Sequence, residues 1–194
     1  MRRRFLPPFA GLQAGLLAGL LVALVSPARA DDAGWAALKA SPAPIVLFRH
    51  AEAPGVGDPP GFRLGDCSTQ RNLDARGRAQ AKRIGERFRA AGVTVGRVVT
   101  SQWCRARDTA TLAFPGAVQD APAFNSIFEG RDADARQTQA ATAVLRDWQG
   151  PGALVVVTHQ VNIQALAGVS PSSGEGVVVA VDATGVKPVA RLAP

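Results

Sequence analysis

Ile45-Val46-Leu47-Phe48-Arg49-His50-Ala51-Glu52 decides how this chain folds. An apolar, partly β-branched run of that length reads as a strand buried on both faces, as in parallel sheets. Leu154-Val155-Val156-Val157-Thr158-His159 repeats the pattern. The chain holds two histidines in 194 residues, and each stands where such a run stops. Open α/β sheets take their ligands at the carboxyl ends of their strands. The two histidines are therefore expected to act together.

The remaining elements follow outward from these strands. The first strand is placed at 44–49, after a polar-to-alanine lead-in over 31–43 with one helical turn. The Gly/Pro-rich stretch 53–66, with Asp58-Pro59-Pro60-Gly61 inside it, excludes regular structure and reads as a long functional loop. Asn72 or Asp74 caps a helix to about Ala90, with Ala79, Ile84 and Phe88 on its apolar side and Gly92 beyond its end. A second strand spans 95–101, and a helix runs from about Cys104 to Leu112. The segment 117–130 is irregular, with a short strand at Ala117-Val118. A helix over 132–148 carries Ala140, Val144, Leu145 and Trp148 at helical spacing. Strand 153–158, a short helix 160–167 and a strand 177–181 follow, with Val186–Leu192 as a hairpin partner. Alternating strands and helices predict an α/β fold, a three-layer α/β/α sandwich on a mostly parallel sheet.

The amino terminus carries export signals. Arg2-Arg3-Arg4, the apolar stretch 9–25 and Ala28-Arg29-Ala30 read as a signal peptide over 1–30, leaving one domain over 31–194. The alternative is a retained membrane anchor. Arg2–Leu6 also fits a twin-arginine pattern, though an ordinary secretory n-region accounts for it equally well. The expected location is periplasmic or secreted, with no membrane span after cleavage. Cleavage removes four of the 22 basic residues and none of the 15 acidic ones, which leaves a net charge of +3. That balance, without basic blocks interleaved with aromatics, argues against nucleic acid as a partner. Cys67 and Cys104 are an even pair in an exported chain, so a disulfide is expected; two buried thiols are the alternative.

The chemistry-bearing residues gather at the strand exits. An imidazole attacks only through a bare nitrogen, so its other nitrogen must donate to a fixed acceptor. Arg49, beside His50, depresses the histidine's pKa and offers a bidentate grip on phosphate. Ser101-Gln102-Trp103-Cys104-Arg105-Ala106-Arg107-Asp108-Thr109-Ala110 starts a helix just past a strand end, with Arg105 in its first turn. Free backbone N–H groups and an arginine there form an anion site. His159 completes a ring of two arginines and two histidines, suited to a phosphoryl group in transfer.

Four segments in this order resemble the histidine phosphatase superfamily, the phosphoglycerate mutase-like proteins. They are Arg49-His50-Ala51-Glu52, Asn72-Leu73-Asp74-Ala75-Arg76-Gly77-Arg78-Ala79-Gln80-Ala81, Ser101…Arg105-Ala106…Thr109-Ala110 and Val157-Thr158-His159. The resemblance implies a metal-independent phosphoric monoester hydrolase with a phosphohistidine intermediate and no cofactor. It makes His50 the nucleophile, Arg49 and Arg105 phosphate clamps, and His159 the residue that stabilises the transferring group. Ala51 stands where the family most often has glycine. For the general acid, the family pattern points to Glu129 in Asn125-Ser126-Ile127-Phe128-Glu129-Gly130, and Glu175 is the second candidate. Glu52 reads as a supporting or exposed charge. Gln70, Arg71 and Ser101 are substrate-binding candidates, and Gln160 and Asn162 either line the pocket or cap the helix after His159.

These readings lead to an exported phosphatase whose partner is a small phosphorylated substrate, with an envelope phosphosugar fitting the expected location. The rival is a phosphate- or phosphosugar-binding protein of the cell envelope without turnover. A metal site on the two histidines is the third reading and is disfavoured.

Overall fold

The computed structural model describes residues 27–116, 118–128 and 131–193. A helix α1 (Pro27–Ala40) leads into strand β1 (Ile45–Arg49), helix α2 (Ala75–Ala90), strand β2 (Val95–Thr100) and helix α3 (Cys104–Ala113). Strand β3 (Val118–Asp120), helix α4 (Arg131–Arg146), strand β4 (Ala153–Thr158) and helix α5 (Gln160–Ala167) follow. Strands β5 (Gly176–Asp182) and β6 (Gly185–Leu192) end the domain as a hairpin. The six strands lie in the order β3-β2-β4-β1-β5-β6. Neighbours among β3, β2, β4 and β1 run parallel, whereas β5 is antiparallel to β1 and β6 to β5.

The period-two alternation of strand side chains sorts the core into two layers. Val46, Phe48, Val155 and Val157 face one side, against Leu38 of α1, Ile84 and Phe88 of α2, and Ala106 and Ala110 of α3. Ile45, Leu47, Leu154 and Val156 face the other, against Ala141 and Leu145 of α4 and Ile163 of α5. This is the expected α/β/α sandwich, with the central strands β1 and β4 buried on both faces.

Three local differences have physical causes. Where one helical turn is expected in 31–43, α1 is a 14-residue helix. Trp35 meets Phe88 edge-on at 5.1 Å, Leu38 is fully buried, and Asp31 pairs with Arg87. Tertiary packing thus stabilises a segment whose own pattern is too short to show it. Most of the predicted leader lies outside the described residues, and 27–30 belong to α1. In α2 the buried positions are Gly77, Ala81, Ile84, Gly85 and Phe88, so Ala79 is exposed. Likewise Ala141 and Leu145, not Ala140, carry the inner face of α4. Alanine fits either face, which is why it misleads the phase. Asp74, not Asn72, caps α2, its carboxylate accepting the Gly77 N–H at 2.7 Å.

Gly77 sets how closely α2 approaches the exit of β1. A Cβ there would lie 1.9 Å from the Glu52 carbonyl oxygen, which is backbone and cannot rotate away. Gly77→Ala is expected to destabilise the protein by about 1–3 kcal/mol through forced separation. A lowered thermal midpoint checks this; an unchanged midpoint would show that the helix shifts freely.

Candidate active site

Strand register builds the site. Arg49 pairs with Thr158 across β1 and β4, so the next residues, His50 and His159, emerge side by side. The His50 N–H donates to the Thr158 carbonyl at 2.9 Å, and the rings stand 5.4 Å apart, edge to face. On the other side of β4, the Ser101 N–H donates to the Val157 carbonyl, which brings Ser101 Oγ within 2.8 Å of His159 Nε2.

His50 Nδ1 lies 2.8 Å from the Ala51 carbonyl oxygen. A carbonyl only accepts, so Nδ1 carries the proton and Nε2 is left bare. Ala51 is fully buried, and its N–H donates to Thr109 Oγ1 at 3.0 Å, which locks this turn onto α3. The methyl group at this position is therefore packed without displacing the histidine's acceptor.

Three arginines ring the histidines. Arg49 Nη1 donates to the Pro171 carbonyl, Arg71 Nε to the Gly57 carbonyl, and Arg105 is nearly enclosed at 4% side-chain exposure. Arg49 Nε and Arg105 Nε are buried without a hydrogen-bond partner. Burial lowers the pKa of His50 to about 3; its bond to Ala51 opposes this, and Arg105, Arg71 and Arg49 lower it further. Burial also pushes His159 well below its ordinary value, with His50 and the same arginines adding to the effect. Both rings are neutral at pH 7, as a nucleophile requires.

This has a pH consequence. Above pH 6.5 both histidines are neutral folded or unfolded and contribute no dependence. Below it the unfolded chain binds protons that the folded site refuses, so stability falls with pH, down to about pH 3 for His50. The slope is up to about 1.4 kcal/mol per pH unit for each histidine. Asp58 has its pKa lowered, with burial opposing and hydrogen bonds from Arg105, Arg71 and Trp103 prevailing, so its contribution is also lost in acid. The thermal midpoint is expected to be level from pH 8 to 7 and to fall steadily below pH 6. A midpoint holding or rising down to pH 4.5 would contradict the buried neutral pair.

A cavity of about 550 Å³ opens over these groups, lined by Arg49, His50, Arg71, Arg105 and His159 at its polar floor. Gln160 also lines it. Trp103 stacks on Phe62 at 5.0 Å along one wall, and Val56 and Phe128 stand 90% and 58% exposed at its rim.

Other residues expected at the site from the sequence fall elsewhere. Gln70 does not line the cavity; its Oε1 accepts the Cys104 N–H at 2.9 Å and so caps α3. The first N–H of that helix is thereby taken rather than offered to an anion. Ser101 is buried and orients His159 instead of lining the cavity. Asn162 donates to the Asn125 carbonyl, and no side chain caps α5. Glu52 lies off the cavity, its N–H donating to Gln80.

Glu175 is the clearest correction. Its Oε1 accepts from Arg191 at 2.6 Å, its Oε2 accepts the Ser172 N–H at 2.7 Å, and it does not line the cavity. Its backbone carbonyl instead accepts the Arg49 N–H and braces the exit of β1. Glu129 lies outside the described residues.

Cys67 and Cys104 form the expected disulfide, joining a short 3-10 turn (Cys67–Thr69) to the start of α3. Among the described residues, Asp58 is the carboxylate that lines the cavity, and no motif in the sequence singles it out. Its Oδ1 and Oδ2 accept from Arg105 at 2.7 and 3.2 Å, the Arg71 N–H reaches Oδ1 at 3.0 Å, and Trp103 Nε1 reaches Oδ2 at 3.0 Å. Its one sequence signal is a carboxylate inside the long loop that reads as functional.

Comparison with known proteins agrees with this geometry. The family model described as the histidine phosphatase superfamily (branch 1) matches residues 45–122. The mitochondrial serine/threonine-protein phosphatase Pgam5 of Drosophila grimshawi is 37% identical over 68 residues, 35% of this chain and 21% of that protein. The chain thus matches about a fifth of the length of such curated relatives. The alpha-ribazole phosphatase of Shigella flexneri is similar in fold, with a TM-score of 0.58, 17% identity, and coverage of 77% of this chain and 96% of that one. The protein histidine phosphatase SixA, complexed with tungstate, gives 0.56 and 15%, covering 78% and 97%. A phosphoserine phosphatase from Entamoeba histolytica gives 0.58 and 12%, covering 78% and 98%. The family match spans Arg49, His50 and Arg105 over about two fifths of this chain, and the fold around them is shared with these solved structures.

Proposed function

We propose that the protein is an exported phosphatase that hydrolyses phosphomonoesters through a phosphohistidine on His50, without a metal ion. One observation carries the reading: the Ala51 carbonyl fixes the proton on Nδ1 and leaves Nε2 of a neutral imidazole bare among three arginines. Nε2 attacks phosphorus in line, and the phosphorus–oxygen bond breaks with its electron pair on the leaving oxygen. That oxygen takes a proton from a carboxylic acid, for which Glu129 is the candidate. Water then gives a proton to the resulting carboxylate as it attacks the phosphorus, the phosphorus–nitrogen bond breaks with its electron pair on Nε2, and inorganic phosphate leaves with His50 and the carboxylic acid restored. Arg49, Arg71 and Arg105 hold the phosphoryl oxygens, and His159 stabilises the charge as it transfers.

Other features support the finer points. The leader-like residues 1–30 and the disulfide fit an oxidising compartment outside the cytosol. The cavity exceeds what a phosphate group alone fills, and its walls suit a leaving group with a ring face, such as an envelope phosphosugar.

The test is the intact mass of the purified protein after brief acid-pH incubation with p-nitrophenyl phosphate, quenched into base. A base-stable gain of one phosphoryl group, absent in His50→Ala, is the expected result. Phosphate binding with neither adduct nor hydrolysis would make the protein a binding protein instead.

A further inference from the structure

We propose that Asp58 is an internal competitor for the phosphate clamp: its carboxylate holds the Arg105 guanidinium until an incoming phosphate displaces it. The inference rests on the reading of Arg105 as a phosphate ligand. Asp58 receives four hydrogen bonds from three residues, two of them from the end of the guanidinium. Arg105 Nη1 also approaches the Arg71 carbonyl at 3.4 Å, so both terminal nitrogens are engaged. The remaining nitrogen, Nε, is buried and unpartnered. As long as Asp58 stays, three of the four terminal N–H bonds of Arg105 are taken, and one Nη2 hydrogen is left for a phosphate oxygen. An anion sharing the fork would also sit beside a carboxylate, a like-charge contact in a poorly hydrated site.

The loop that carries Asp58 is held by the residues it covers. Within 54–62 the one backbone hydrogen bond is local, from Phe62 N–H to the Pro59 carbonyl. The attachments to the body of the protein run through Arg71, Arg105 and Trp103: Arg71 to the Gly57 carbonyl, Arg105 and Trp103 to Asp58, and Phe62 stacked on Trp103. Gly55 and Gly57, at φ of 95° and 68°, occupy the left-handed region on either side of Val56. The same cations thus serve either the loop or the phosphate, and binding of one weakens the other by the same factor.

Two measurements on the full protein test this. Asp58→Asn keeps the side chain's shape and one oxygen, enough for either the Arg71 or the Trp103 donor, but removes the charge. Calorimetric titration with inorganic phosphate is expected to show binding at least about fivefold tighter than in the parent, the lower end of ordinary coupling between sites. Asp58→Ala is expected to move in the same direction. In the parent, saturating phosphate is expected to speed amide hydrogen exchange over 54–62 and at Arg71, the reverse of the protection a ligand normally confers. Equal or weaker phosphate binding by Asp58→Asn, or a loop further protected by phosphate, would overturn the inference and make Asp58 a support that positions Arg105. Failure of the parent to bind phosphate at all would remove the clamp reading itself, and this inference with it.

Discussion

His50→Ala is expected to lower kcat/KM for p-nitrophenyl phosphate by roughly 10⁴-fold or more, the scale on which removing a covalent nucleophile acts. In the proposed mechanism the residue contributes the attacking atom. His159 Nε2 is engaged with Ser101 Oγ at 2.8 Å, unlike the bare Nε2 of His50. The arginines remain in the variant, so inorganic phosphate is expected to bind within a few-fold of the parent affinity. Turnover should fall while ligand binding persists, and added imidazole should restore part of the rate by entering the vacated space. Turnover within tenfold of the parent would reduce His50 to a packed histidine of the core.

The second large effect concerns the disulfide. Cys67 and Cys104 are separated by 37 residues, and opening a loop of that length costs on the order of 4 kcal/mol in the chain-entropy account. For a domain of this size that is a fall in thermal midpoint of roughly 8–16 °C. Cys67→Ser combined with Cys104→Ser, or the parent under a strong reductant, should show it. Affinity for phosphate should fall as well. Cys104 directly precedes Arg105, and Gln70, close after Cys67, caps the same helix through the Cys104 N–H. A midpoint that moves by less than about 2 °C would mean that packing around α3 holds the helix start without the bond.

Much of this arrangement is legible in the sequence because strands buried on both faces write themselves as uninterrupted apolar runs. The histidines at their ends then locate the site, since the ends of parallel neighbours coincide in space. The legible part stops where orientation depends on a partner far along the chain. Glu175 precedes β5, whose start lies beside the end of β1, so its position alone suggests the site. Its carboxylate turns away because β6 brings Arg191 opposite Val177, within reach of it. Ala79 and Ala140 mislead for a different reason: alanine does not mark which face of a helix is buried. Asp58 is illegible because a Gly/Pro-rich loop has no periodicity from which to place a side chain. Its four hydrogen bonds reach residues 13 to 47 positions away.

The pairing of β1 with β4 also bears on how this protein can diversify. Paired strands lie about 4.8 Å apart whatever side chains they carry. His50 and His159 leave adjacent strands one residue beyond a fixed register, so the interval between them is inherited from the peptide ladder. The segments 53–66 and 121–128 hang from that ladder without being part of it. They are free to lengthen, shorten or change sequence, and so to retune which molecule is accepted, while the ruler that spaces the reacting groups stays the same.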